Sequence, residues 1–339
     1  MGLLSRITKW SSPAANLLLV ADTDCTLGRE ITSHLDAVEM SYELANTHTK
    51  AKRPCVHFLD PEPLLRSSSK KLDAANQIVV NVCHSDLQND KLIGRLRTIS
   101  NLAIVADNSA TSAELQHCGF DSVTTIGEGI CPDDFEPAGI HRRLQARRKL
   151  KVPRDAQCFG VFEPLQESDQ DFFVDVATEI HRQIGPVCLL LLGPKSELDR
   201  VLRTKGISVA RTRPQTISEL LTCYWALDTY LNISKIGDRR GTLRSWATGI
   251  AIASRPNAVA DDILRDGLTA AVSEFTDAQS AAQDAIDLCR DEDFRHRCCE
   301  RGLEEVQEFS WPTIAKQYAN MYSTFLGSPA VESNLNHAI

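Results

Sequence analysis

Apolar residues along this chain gather in short runs on successive positions. In the first part the runs are NLLLVAD at 16–22, CVHFLD at 55–60, QIVVNVCH at 77–84, LAIVAD at 102–107 and SVTTIG at 122–127. In the second part they are CFGVFE at 158–163, VCLLLLG at 187–193, ISVART at 207–212, TYLNIS at 229–234, IAIAS at 250–254 and TAAVSE at 269–274. A strand with one wet face alternates apolar and polar residues. A parallel strand covered by helices on both sides buries both directions and reads as a continuous run. Longer mixed stretches of helical character separate the runs, so the pattern predicts an α/β fold of doubly wound type.

The fifth and sixth runs are separated by CPDDFEPAGIHRRLQARRKLKVPRDAQ at 131–157, which holds three prolines and dense charge and marks the boundary between two series of βα units. Its basic run HRRLQARRKLK at 141–151 fits a solvated linker helix, with contact to an anionic surface as the alternative. A length of 339 residues exceeds what one hydrophobic core usually organises, so two domains are expected. The two halves look like two similar βαβ modules.

Composition narrows the function classes. A formal net charge of −8 argues against nucleic acid as a partner, because that affinity rests on many Lys and Arg contacts to phosphate. The eleven cysteines are scattered, odd in number and mostly inside apolar runs, and none has zinc-type spacing. They read as reduced core residues of a cytoplasmic protein with no metal site. No run approaches the ~20 apolar residues of a membrane span. At the start, MGLLSRITKW is too short for a secretory signal, and Leu3, Leu4, Ile7 and Trp10 share one helical face. That face fits a loosely packed terminus, with peripheral contact at the inner membrane face as the alternative.

SKIGDRRGTLRSWATG at 234–249 follows an apolar run and gathers three glycines, an aspartate and three arginines. Such a turn could cradle a phosphate or be an ordinary solvated loop. Two doubly wound domains would place a cleft between the carboxyl ends of two parallel sheets, where helix N-termini point N–H groups at a ligand. A nucleotide or other phosphorylated ligand suits that geometry.

Several stretches, in order, resemble the family 4 glycosyltransferases of the GT-B fold. VCLLLLGPKSELDRVL resembles that family's strand, glycine and helix, and ISELLTCYWALDTYLNIS its helix ending at an alanine and aspartate, here Ala226 and Asp228. SWATGIAIASRPNAVADDILRDGLTAAV resembles its EAMACGxPVVA and DGxxGxLV segments, and FSWPTIAKQYANMY its C-terminal helix that crosses back to the first domain. VTTIGEGICPDDFEP resembles the boundary strand IPNGVDxxxFxP. The resemblance implies two Rossmann-like domains: an acceptor domain at 16–137 and a nucleotide-sugar donor domain at 156–310, joined by a linker at 138–155. A crossing helix at 311–327, an N-terminal segment at 1–15 and a disordered tail at 328–339 complete the layout.

What the resemblance implies about the site comes with two departures. The family's paired glutamates before AMACG fall on Ile236 and Arg244, and a two-residue deletion would let Asp238 replace the first. The family's diphosphate-binding Arg and Lys fall near Glu163 and Ser168. A rebuilt site would use Arg239, Arg240 and the Gly241 backbone for the diphosphate, with Arg244 beside them. Gly28 lies where the family has its glycine loop, and His84, after a strand, is the candidate for proton transfer or donor orientation. The competing reading makes Arg239, Arg240 and Arg244 a solvated helix start pairing Asp238, and His84 a packed or capping residue. Trp246 and Trp311 read as core anchors.

The implied activity is metal-independent transfer of a sugar, of hexosyltransferase type, with the nucleotide-sugar as co-substrate and no resident cofactor. The acceptor is a glycan, lipid or small molecule. The alternative is a catalytically degenerate GT-B protein that binds or scaffolds beside an active partner glycosyltransferase.

Overall fold

All eleven apolar runs form strands in the computed structural model, which describes residues 16–327 apart from 23–24, 36–39, 47–53, 163–164, 236 and 274–276. The N-terminal segment with its Leu3–Trp10 face, the tail, Glu163 and Ile236 therefore lie outside the described residues. A twelfth strand, Tyr42–Ala45, is not announced by an apolar run. Among the described residues no helix is long and apolar enough to cross a membrane.

The chain divides into two compact units, one of residues up to 129 and from 311 onward, the other of 130–310. The first unit holds a parallel sheet of β1 (Leu17–Val20), β2 (Tyr42–Ala45), β3 (Cys55–Phe58), β4 (Gln77–Val82), β5 (Leu102–Ala106) and β6 (Val123–Thr125), in the order β2-β1-β3-β4-β5-β6. β1 and β3 are buried at every residue, as strands covered on both faces must be.

Four polar side chains bond to one another inside this unit. His57 on β3 is fully buried; its Nε2–H donates to Asn81 Oδ1 at 2.9 Å, and its Nδ1 accepts from the Tyr322 hydroxyl at 2.6 Å. Asn81 on β4 donates onward to the Tyr318 hydroxyl at 3.1 Å. Both tyrosines belong to the helix Trp311–Leu326, so this chain of bonds seats that helix on the first unit's sheet. Trp311, at its start, is buried as a core anchor.

The second unit holds β7 (Gln157–Val161), β8 (Val187–Leu192), β9 (Ser208–Thr212), β10 (Thr229–Asn232), β11 (Ala251–Ser254) and β12 (Ala271–Val272), all parallel, in the order β12-β11-β10-β7-β8-β9. One face packs on Tyr224, Leu243 and Trp246, the other on Phe173, Val176 and Ile180. Trp246 is a core residue whose indole N–H donates to the Thr269 carbonyl at 3.1 Å. The basic run forms the helix Ile140–Leu150, and it is not simply solvated. Arg143 and Arg147 both pair with Asp228, and Arg147 also donates to the Ala226 carbonyl, which binds the helix to the sheet, while Arg148 and Lys149 stay exposed.

Candidate functional site

In the second sheet the strand order reverses between β7 and β10. At a reversal the loops leaving the two strands go to opposite faces, and the crevice between them exposes helix N-termini and loop amides to a ligand. The helix Glu167–Ile184 follows β7 and packs on one face; the helix Arg239–Ala247 follows β10 and packs on the other. The stretch 234–249 is therefore the connection that leaves β10 at the reversal.

Asp238 caps this helix. Its peptide N–H donates to Asn232 Oδ1 at 2.8 Å, and its Oδ1 accepts from the Gly241 N–H at 2.8 Å. Its Oδ2 accepts from the Tyr230 hydroxyl. Both carboxylate oxygens are engaged, and their charge sits where the helix dipole favours an anion. Gly241 has a local reason: a Cβ there would lie under 3.0 Å from Asp238 Oδ2 and from the Tyr230 hydroxyl. Gly237 turns with φ at 87° and leaves no room for a side chain beside Asn257.

The three arginines of the stretch spread apart. Arg239 stacks its guanidinium 5.3 Å from the Phe309 ring centre, and Arg244 stacks 5.6 Å from that of Phe135. Arg240 is exposed on the first helical turn. Beside Arg244 the hydroxyl of fully buried Tyr224 has no hydrogen-bond partner among the described residues. Burial holds that phenol well above its usual range; Asp238 adds to the effect and Arg244 opposes it.

Under the loop, Ser254 Oγ accepts from Asn232 at 3.2 Å and from Asn257 at 3.4 Å, which ties the ends of β10 and β11 together. Arg255, the next residue, is buried with its guanidinium 4.3 Å from the Phe172 ring centre and Nη1 3.8 Å from Asp169 Oδ1. Asp169 lies in the first turn of the helix Glu167–Ile184, and its Oδ2 accepts from the Lys235 N–H at 3.4 Å. Ser168, next to it, is exposed. Neither Arg255 nor Asp169 stands out in the sequence. The available signal is an arginine directly after the apolar IAIAS run and an acid in the first turn after the unit's first strand.

The other two sequence-derived candidates lie in the first unit. Gly28 is buried in the helix Thr26–Leu35, its N–H donating to Cys25 Sγ at 3.3 Å and its Cα facing Ala21 and Leu59. His84 opens the short helical turn that follows β4 and is half-exposed. Asp107 is held above the usual carboxylate range by burial. So the structure brings Asp238, Arg239, Arg240 and Gly241 onto one helix start with Arg244 in the last turn of the same helix, and places Gly28 and His84 after two different strands of the other unit.

No family model matches the chain, and no curated protein sequence matches it significantly. Solved structures do. A glycosyltransferase from Rickettsia africae is 14% identical with a TM-score of 0.68, over 92% of this chain and 99% of that one. HepE from Anabaena, in complex with UDP and glucose, is 13% identical with a TM-score of 0.70, over 92% of this chain and all of that one. Sucrose-phosphate synthase from Thermosynechococcus elongatus is 13% identical with a TM-score of 0.69, over 92% and 99%. Two parallel six-stranded sheets flanked by helices, matched by these neighbours over most of the chain, give it the two-domain α/β fold of the GT-B glycosyltransferases.

Proposed function

We propose that the chain is a glycosyltransferase that draws its sugar from a nucleotide-sugar, held at the carboxyl ends of β7 and β10. The observation that carries this reading is the reversal of strand order there, with a nine-residue helix delivered to it by a loop containing Gly237 and Asp238. Support comes from the fold, which HepE shares in a structure containing UDP and glucose.

In this reading the first amides of the helix Arg239–Ala247 meet the leaving diphosphate, where negative charge grows as the glycosidic bond breaks. Arg239 and Arg240 add positive charge at the same turn. Asp238 fixes the loop, and His84 is the candidate for handling the acceptor proton. The nucleotide-sugar is consumed as co-substrate, with no resident metal or cofactor, and the acceptor is a glycan, lipid or small molecule.

A second reading, a binding subunit of a partner glycosyltransferase, is favoured by one observation. Both oxygens of Asp238 are already committed to Gly241 and Tyr230, and Arg239 and Arg244 are stacked on aromatic rings. Thermal melts with UDP, GDP, ADP and their sugars separate the two. A ligand at ~100 times its dissociation constant stabilises by about 2.7 kcal/mol. The expected result is stabilisation by one nucleotide and consumption of its sugar form. Stabilisation without consumption favours the binding subunit, and no stabilisation by any nucleotide at millimolar concentration overturns donor binding altogether.

A further inference from the structure

Arg255 and Asp169 form an incomplete pair. Their side chains are 9% and 1% exposed, yet they meet only at 3.8 Å, beyond a hydrogen bond. Arg255 Nε and Asp169 Oδ1 each lack a hydrogen-bond partner among the described residues. A guanidinium carries five N–H donors, and a buried ion with unmade bonds is strongly destabilising, so an arrangement of this kind calls for a reason.

Position supplies one. Arg255 follows β11, whereas Asp169 and Phe172 belong to the helix after β7, and β10 lies between those strands. The guanidinium therefore reaches over the carboxyl end of β10, into the crevice of the strand-order reversal. Lys235, on the loop leaving β10, touches the same Asp169. The cations expected on the loop after β7 fell near Glu163 and Ser168, and Arg255 brings a positive charge to that corner from the opposite side.

Resting on the nucleotide reading above, we infer that Arg255 is the cation that receives a phosphate of the bound nucleotide. Its unpartnered Nε edge takes the phosphate oxygen while Nη1 stays against Asp169, which aims the guanidinium and tempers its charge. Arg255, more than the stacked Arg239 and Arg244, then sets the diphosphate affinity.

The test titrates the full chain with UDP, GDP, ADP and pyrophosphate, and with the matching nucleosides. Arg255→Met is expected to weaken the diphosphate-bearing ligands at least about tenfold, the worth of one lost charged hydrogen bond, and to leave nucleoside affinity unchanged. Arg255→Lys recovers part of the loss. Asp169→Asn is expected to tighten the same ligands severalfold, because a negative charge beside the phosphate is gone. A purely structural pair gives no such opposite signs. If Arg255→Met does not fold, the lysine and asparagine variants carry the test alone. Should wild type bind a diphosphate while no variant changes the ratio of diphosphate to nucleoside affinity, this inference falls and the nucleotide reading stands. Should wild type bind neither nucleotides nor pyrophosphate, the nucleotide reading falls first and this inference with it.

Discussion

Each unit buries a polar cluster, and the two are built on opposite rules. In the first unit every bond of the chain Tyr322–His57–Asn81–Tyr318 is made, from hydroxyl to imidazole to amide to hydroxyl. In the second, Tyr224 Oη and Thr242 Oγ1 on one face of the sheet and Asp169 Oδ1 and Arg255 Nε at the other are without partners among the described residues, as Thr111 Oγ1 is in the first. A closed cluster stabilises one arrangement of the fold, here the docking of the helix Trp311–Leu326 on β3 and β4. An open cluster costs stability unless something else completes it. The difference separates a group of polar residues whose bonds are all made from one whose bonds are not, which the proposed nucleotide would complete at Arg255.

The largest expected effect tests the closed cluster. Burial pushes the His57 imidazole down to about 3 from 6.5, with the Asn81 contact opposing that shift. Between those values the unfolded chain binds a proton that the folded chain does not, so stability rises with pH. Acidification below about 6.5 should remove about 1.4 kcal/mol per pH unit, most of it gone as pH nears 3. Denaturation midpoints of wild type and His57→Gln from pH 4 to 7 check this. A variant that keeps the wild-type slope would show that His57 is not the group responsible.

Next in size is Gly241→Ala in the second unit. The added Cβ must displace the Asp238 carboxylate and the Tyr230 hydroxyl together, with an expected loss of about 2–4 kcal/mol in chemical denaturation. A loss under ~1 kcal/mol would mean that the cap readjusts freely.

Two tyrosines sharpen the contrast directly. Tyr322→Phe removes the donor to His57 Nδ1 and leaves a buried acceptor unpaired, an expected loss of about 1–3 kcal/mol. Tyr224→Phe deletes a hydroxyl that has no partner and should be neutral or stabilising. Equal losses in the two variants would erase the distinction between the clusters. The smallest effect is Gly94→Ala in the helix Asp90–Leu96, where a Cβ meets nothing within 4 Å. It should stabilise the first unit by about 0.5–1 kcal/mol, and a destabilised melt would show an unrecognised role for that glycine.

Much of the fold is legible along the chain because covered parallel strands announce themselves as apolar runs, from LLLV in β1 to LLLL in β8. β2 escapes because it lies at the sheet edge, where Tyr42 to Ala45 need not be apolar on both faces. The candidate loop at 234–249 is also legible, as glycine and charge after a run. Its bonding is not. Gly241 suggests a backbone approach to phosphate, yet what crowds it is Tyr230, a partner set by the geometry of the strand-to-helix turn. Arg255 and Asp169 meet across loops far apart in sequence, and no spacing rule brings such pairs together. The basic run is a similar case, since its engagement depends on Asp228, on a different element.

In the proposed function a nucleotide seats its diphosphate at the carboxyl end of β10. Diffraction from crystals of the chain soaked in UDP, GDP or ADP tests it most directly. The account predicts diphosphate density against the amides that open the helix Arg239–Ala247, with the Arg255 guanidinium within hydrogen-bonding distance. Density lodged elsewhere in the second unit, or none at saturating nucleotide, would contradict it.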